Sequence, residues 1–251
     1  MAERSHAEFR FYEELNDFLP EERRKRSFPV EIDRARSVKD AIESVGIPHT
    51  EVDLIVVDGV SVDFAHVLRG GERVAVYPMF ERLDISPVVR LRPLPLREPR
   101  FVADAHLGKL ARHLRMAGFD TLWTNHWNDD EIVRISAVQK RTILTRDKGM
   151  LRRKEVDRGY FVRATESEEQ LAEVIRALQL EGMLAPFTRC RECNVPLEEV
   201  SRAAVLDRLP EQVRNLYDRF KRCPGCERVY WEGTHFERMR GVLGRLQLLR
   251  Q

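Results

Sequence analysis

At 251 residues, 43% hydrophobic and 33% charged, the chain has the composition of a soluble globular protein, with no apolar run near the roughly 20 residues of a membrane span. Its net charge of +2 is too small for bulk electrostatics to point to nucleic acid, so any polyanion site must come from local clustering. The opening "MAERSHAEFRFYEE" is charged and alternating, so no secretory leader is expected and a cytoplasmic location is.

In chain order, residues 1–81 read as a small α+β unit. "EFRFYEEL" alternates with period two and predicts a strand, "FPVEI" a second, and "SVKDAIESVG" a short helix. Ser37 stands at its N-cap with Asp40 three residues on, and Gly46 closes it. "DLIVVDGVSV" predicts a hairpin around Asp58-Gly59, and "RVAVYPMF" a closing strand entered through Gly70-Gly71. Strand, strand, helix, further strands is the order of a β-grasp fold. It resembles the ubiquitin-like sulfur carriers, and "LRGG" at 68–71 invites that comparison. Those carriers use a diglycine at a free C-terminus, however, whereas here another strand and most of the chain follow, so a turn needing φ > 0 is the expectation.

Residues 82–99, "RLDISPVVRLRPLPLREP", carry prolines at spacings that forbid a regular helix and predict an extended linker. From 100 to 184 the pattern alternates β and α. "RFVAD" is a strand and "LGKLARHLRMAG" a helix with Leu107, Leu110, Ala111, Leu114 and Ala117 on its apolar face. "DTLWT", "DDEIVRISAVQK", "RTILTRD", "GYFVRA" and "SEEQLAEVIRALQLEG" continue the alternation, the last with a capping box expected at Ser167 and Gln170. Such alternation predicts a three-layer α/β/α domain with a mostly parallel sheet, in which ligands collect at the carboxyl ends of the strands.

That rule makes the acids informative. Asp104 ends the first of these strands, Asp147 ends "RTILTRD", and Asp129 and Asp130 open the helix after "DTLWT". Carboxylates brought together repel unless a cation intervenes, and Mg²⁺ or Mn²⁺, with its preference for oxygen ligands, is the natural neutraliser. Lys109, Arg112 and Arg115 follow the first acid, and Arg146, Lys148 and Arg152 flank the third, so that bases for a phosphate backbone stand beside acids for a metal. Each acid also has a purely structural alternative: Asp129 or Asp130 as N-cap or dipole partner, Asp147 as the cap of the turn after its strand.

Residues 185–251 hold two C-x-x-C motifs, Cys190/Cys193 and Cys223/Cys226, separated by 29 residues. Four thiols in this arrangement suit one tetrahedral structural Zn²⁺ better than a redox dithiol, which needs a single motif. Between them "PEQVRNLYDRF" predicts a helix opened by Pro210, with Val213, Leu216, Tyr217 and Phe220 on one face. His106, His113 and His235 read as surface or packing residues, and Tyr230 and Trp231 as the covered edge of a ribbon, with base stacking as the alternative.

"DAHLGKLARHLRMAGFD", "NDDEI", "RTILTRDKGML" and the paired C-x-x-C motifs ending in "CPGCERVYWEGTHFERM", in that order, resemble the Mut-seven C-terminal RNase family, a branch of the PIN-like nucleases. The N-terminal unit resembles the ubiquitin-like domain fused ahead of it in bacterial members. The resemblance implies a PIN-like sheet with an acidic metal site, plus a zinc ribbon. By motif position the acids fall on Asp104, on Asp129 with Asp130 as the alternative, and on Asp147; a fourth acid, carried by many PIN nucleases, has no position here. The expected activity is metal-dependent hydrolysis of RNA, tRNA or another structured RNA among the candidates. The alternative is a non-catalytic RNA-binding or adaptor protein that docks partners through its ubiquitin-like domain and ribbon.

Overall fold

The computed structural model describes residues 5–32, 35–78 and 99–245, apart from the side chains at 234, 235, 238, 239 and 245. Residues 82–98 of the expected linker, Met79 and Phe80 at the end of the expected closing strand, and the side chain of His235 therefore lie outside the described residues. The chain divides into two compact units, one of Met1–Arg97 with Asp147–Phe161 and the other of Glu98–Arg146 with Val162–Gln251.

In the first unit, β1 (Ser5–Phe11) and β2 (Phe28–Ile32) form an antiparallel pair whose alternating burial follows the period-two sequence. A two-residue strand, β3 (Arg36–Ser37), leads into α1 (Val38–Val45). Ser37 Oγ accepts from the Asp40 N–H at 3.1 Å, and Gly46 closes the helix at φ +109°, both as expected. Strands β4 (Leu54–Val57) and β5 (Val60–Val62) form the predicted hairpin, with Asp58 and Gly59 both at positive φ as a type I′ turn requires. Strand β6 (Val67–Leu68) pairs with β3. Next, β7 (Arg73–Tyr77) runs parallel to β1 and antiparallel to β4, giving the order β2-β1-β7-β4-β5 of a β-grasp sheet. The diglycine is the turn into β7: both residues have φ near +100°, and the Gly71 N–H donates to the His6 carbonyl. Phe9, Phe11, Leu15, Ile42, Ile47, Ile55 and Val76 are buried between sheet and helix.

The second unit is built on three parallel strands. Strand β8 (Arg100–Ala103) lies between β9 (Asp120–Leu122) and β10 (Thr142–Thr145). β8 and β10 are almost wholly buried and apolar, as parallel strands covered on both faces must be. Helix α2 (Gly108–Met116) packs against the later helix Ser167–Ala177, and α3 (Asp129–Gln139) against β8 and β10. After β10, the chain contributes α4 (Lys148–Leu151) and β11 (Gly159–Phe161) to the first unit and returns to the second as α5, the Ser167–Ala177 helix. The expected capping box of α5 is corrected. Its N-cap is Glu166 with no side-chain cap, and Gln170, being buried, turns its amide to the Ala164 and Thr165 carbonyls.

The ribbon forms an antiparallel sheet of β12 (Glu198–Val200), β13 (Phe220–Arg222) and β14 (Val229–Trp231), followed by α7 (Thr234–Arg245) after the short α6 (Glu211–Arg214). The single long helix expected between the cysteine pairs is thus corrected to one short turn of helix with Pro210 as its N-cap. Phe220 instead enters β13, where it is covered with Val213 and Tyr217, while Leu216 remains 70% exposed. Asn215 and Asp218, weak helix formers, fall where the helix stops, and the sheet recovers Phe220.

Candidate active site and metal centre

Asp104 follows the last residue of the central strand β8. Its N–H is bonded to the Leu144 carbonyl of β10, and its own carbonyl accepts from Leu107, which turns the chain toward α2. The side chain is only 8% exposed. Thr145, at the end of β10, donates its hydroxyl to Asp104 Oδ2 at 2.8 Å; Oδ1 is not engaged by a hydrogen bond among the described residues. A buried carboxylate held by one oxygen keeps the other for a ligand. Thr145 was not singled out from the sequence, although its position at the end of a strand beside the Asp104 strand was the signal.

The turn after Asp104 is locked by Trp123, whose indole N–H donates to the Ala105 carbonyl at 3.1 Å. The ring lies so close over Gly108 that a Cβ there would approach it to 2.4 Å, which accounts for the glycine in "AHLGKL".

Asp129 and Asp130 are exposed in the first turn of α3. The capping alternative is corrected for both: Asn128 is the N-cap and forms a complete capping box with Glu131. The two aspartates keep the favourable position beside the helix N-terminus. Asp147 fulfils its structural alternative, accepting the Gly149 N–H at 2.7 Å as the cap of α4. It belongs to the first unit, whereas Asp104, Asp129 and Asp130 belong to the second.

The expected phosphate contacts fare differently. Lys109 and Arg146 are exposed, Arg146 donating to the Ala164 carbonyl. Arg112 lies 5.5 Å over the Trp123 ring and 3.6 Å from Glu192. Lys148 stands over the Phe18 and Phe161 rings, and Arg152 donates to the Gly46 carbonyl at 2.6 Å. Arg115 is corrected: it is 4% exposed, and its guanidinium donates to the carbonyls of Thr121, Arg191 and Glu192. A buried cation satisfied by three carbonyls is a structural clamp. His113 is likewise structural, with Nδ1 3.2 Å from the Ser167 carbonyl.

The four cysteines are free thiols whose Sγ atoms all lie within 4.8 Å of one another. The two loops share one geometry. The N–H of the second cysteine points at the sulfur of the first, Cys193 to Cys190 at 3.4 Å and Cys226 to Cys223 at 3.5 Å. The next residue, Asn194 or Glu227, is left-handed and donates to the carbonyl of the first cysteine. Cys190 and Cys226 sulfurs stand 3.7 Å apart, close to the edge of about 3.8 Å of a tetrahedron with Zn–S bonds of about 2.3 Å. Burial opposes ionisation of Cys190, yet the Tyr230 hydroxyl at 3.0 Å and nearby backbone N–H groups outweigh it and bring the thiol down to about 7. Cys193 is pushed up to about 12, first by its hydrogen bond with Cys226 and then by burial. Thiolates this close repel, and a dication is what would hold all four as ligands.

The first knuckle is also fastened to the sheet. Asn194 accepts from the Thr121 N–H and donates to Asp120 Oδ1, and Arg141 grips the same carboxylate with both terminal nitrogens. The sequence signal was the asparagine directly after the C-x-x-C, the residue besides glycine that best tolerates a left-handed backbone.

A ubiquitin-like sheet, an α/β domain with a buried aspartate ending its central strand, and a four-thiol ribbon define the class of protein. Family models specify it further: the Mut7-C RNAse domain model matches residues 99–243 and the Mut7-C ubiquitin model residues 4–84. The chain belongs to the Mut7-C RNAse domain family. Comparison with curated proteins and with solved structures returns no match. Among the described residues no helix is long and apolar enough to cross a membrane.

Proposed function

We propose that the protein is a metal-dependent ribonuclease acting in the cytoplasm, where its four thiols stay reduced. The observation that carries this reading is Asp104, buried at the carboxyl end of the central parallel strand with one oxygen held by Thr145 in a domain of an RNase family. Asp104, Asp129 with Asp130 as the alternative, and Asp147 would hold one or two Mg²⁺ or Mn²⁺ ions. When bound, such a cation supplies an activated water and compensates the charge that develops on the phosphate. Lys109, Arg112, Arg146 and Lys148 would orient the RNA backbone, tRNA and other structured RNAs being the substrates to try first. Trp123 keeps the Asp104 turn rigid, which preserves the alignment such hydrolysis needs.

Purified protein incubated with RNA and Mn²⁺ should cleave it, and Asp104→Asn should lower the rate by about two orders of magnitude or more. Equal cleavage by the two proteins would refute the assignment. RNA binding without hydrolysis under any divalent cation would instead identify an adaptor that meets its protein partners through the ubiquitin-like domain.

A further inference from the structure

The compact units do not follow the family boundaries. Asp147–Phe161, inside the matched RNase region, packs into the ubiquitin-like unit. We propose that the ubiquitin-like unit is a positioning element of the nuclease: it fixes the Asp147–Phe161 segment and thereby sets the divalent-cation affinity of the acidic site to which Asp147 contributes. The proposal rests on the metal-dependent reading above.

Two buried titratable side chains of the ubiquitin-like unit face the segment's backbone. His49, 8% exposed, places Nε2 3.0 Å from the Val156 carbonyl, with Glu43 Oε1 2.6 Å from Nδ1. Because a carbonyl only accepts, Nε2 carries the proton. Glu51, 6% exposed, accepts the Phe161 N–H at 2.7 Å. Burying such groups without partners is strongly unfavourable, and here the segment supplies partners more than 100 residues away in sequence. An independent docking module would have no reason to bury a histidine and a glutamate toward a foreign strand.

Aromatic contacts fix the end of the segment that carries the acid. Phe161 meets Phe18 edge-on with centroids 5.5 Å apart, and Lys148, next to Asp147, holds its ammonium 4.7 Å from the Phe18 ring and 5.4 Å from the Phe161 ring. Arg152 of the same segment donates to the Gly46 carbonyl that closes α1. The turn that holds Asp147 is therefore anchored from both of its ends by the ubiquitin-like unit.

The test uses the full-length, zinc-loaded chain and measures Mn²⁺ binding by electron paramagnetic resonance alongside RNA cleavage as a function of Mn²⁺. Phe18→Leu, which removes the ring, and Glu51→Ala are expected to weaken Mn²⁺ binding and raise the Mn²⁺ needed for half-maximal cleavage by at least about 3-fold, with KM for RNA unchanged. Phe18→Tyr, which keeps the ring, should restore wild-type behaviour. Phe28→Leu, a comparable core change on β2, should leave Mn²⁺ affinity as it was. Wild-type Mn²⁺ affinity in both Phe18→Leu and Glu51→Ala, or equal weakening by Phe28→Leu, overturns the positioning role while leaving the nuclease reading intact. A wild-type protein that binds no Mn²⁺ overturns the metal-site reading itself, and the positioning role with it.

Discussion

Single residues in this protein are separated less by type than by which of their atoms are already engaged. Arg112 and Arg115 lie one helical turn apart in the same basic run, but only Arg112 retains surface, because Arg115 is committed to three carbonyls. Removing Arg115 leaves those acceptors buried without a donor. Arg115→Ala should therefore lower stability by about 2–4 kcal/mol, read as a drop in denaturant midpoint in the absence of RNA; an unmoved midpoint would return Arg115 to the RNA-facing set. Asp120 gives a pH signature. Burial works against its carboxylate, but the hydrogen bonds from Arg141 and Asn194 outweigh it and hold the pKa below its ordinary value of 3.8. A folded-state pKa below the unfolded one means the stabilisation is full above 3.8 and is lost as pH falls through the lower folded value. Asp120→Asn should be less stable than wild type at neutral pH and should converge on it in acid, a trend that chemical denaturation across the acid limb would show or refute.

At the scale of elements, the strands and helices with a strong period were legible, and the caps and inserts were less so. The helix α3 and strands β8 and β10 stand where alternation predicted, because an apolar stripe at the right period has only one face to bury. The insert between the cysteine pairs was misjudged because Val213, Tyr217 and Phe220 do share a core, but as parts of a turn and a strand rather than one helix face. Periodicity over so few residues cannot separate the two. The ribbon itself follows directly from its paired motifs, and its metal is open to a plain test. Protein purified without chelator should contain about one Zn²⁺ per chain by elemental analysis, and Cys190→Ser or metal stripping should destabilise the C-terminal region through loss of the cross-link. Because Asn194 and Arg115 tie the first knuckle to β9, the loss should spread to amide exchange at Asp120–Leu122. Protein free of zinc would refute the site.

On the scale of the whole molecule, the order of a ubiquitin-like unit, a parallel α/β domain and a cysteine ribbon was written in the chain, because each rests on local signals: hydrophobic period, turn glycines, thiol spacing. Asp104 was also legible, as an acid where a buried strand ends. What local signals could not carry was which distant groups would meet. That Thr145 holds Asp104, that Arg115 and Asn194 bind the knuckle to the sheet, and that Asp147–Phe161 joins the ubiquitin-like unit through His49 and Glu51 depend on contacts between residues far apart in sequence. Period and propensity are properties of neighbours along the chain, whereas the satisfaction of a buried polar group is a property of whatever the fold brings beside it.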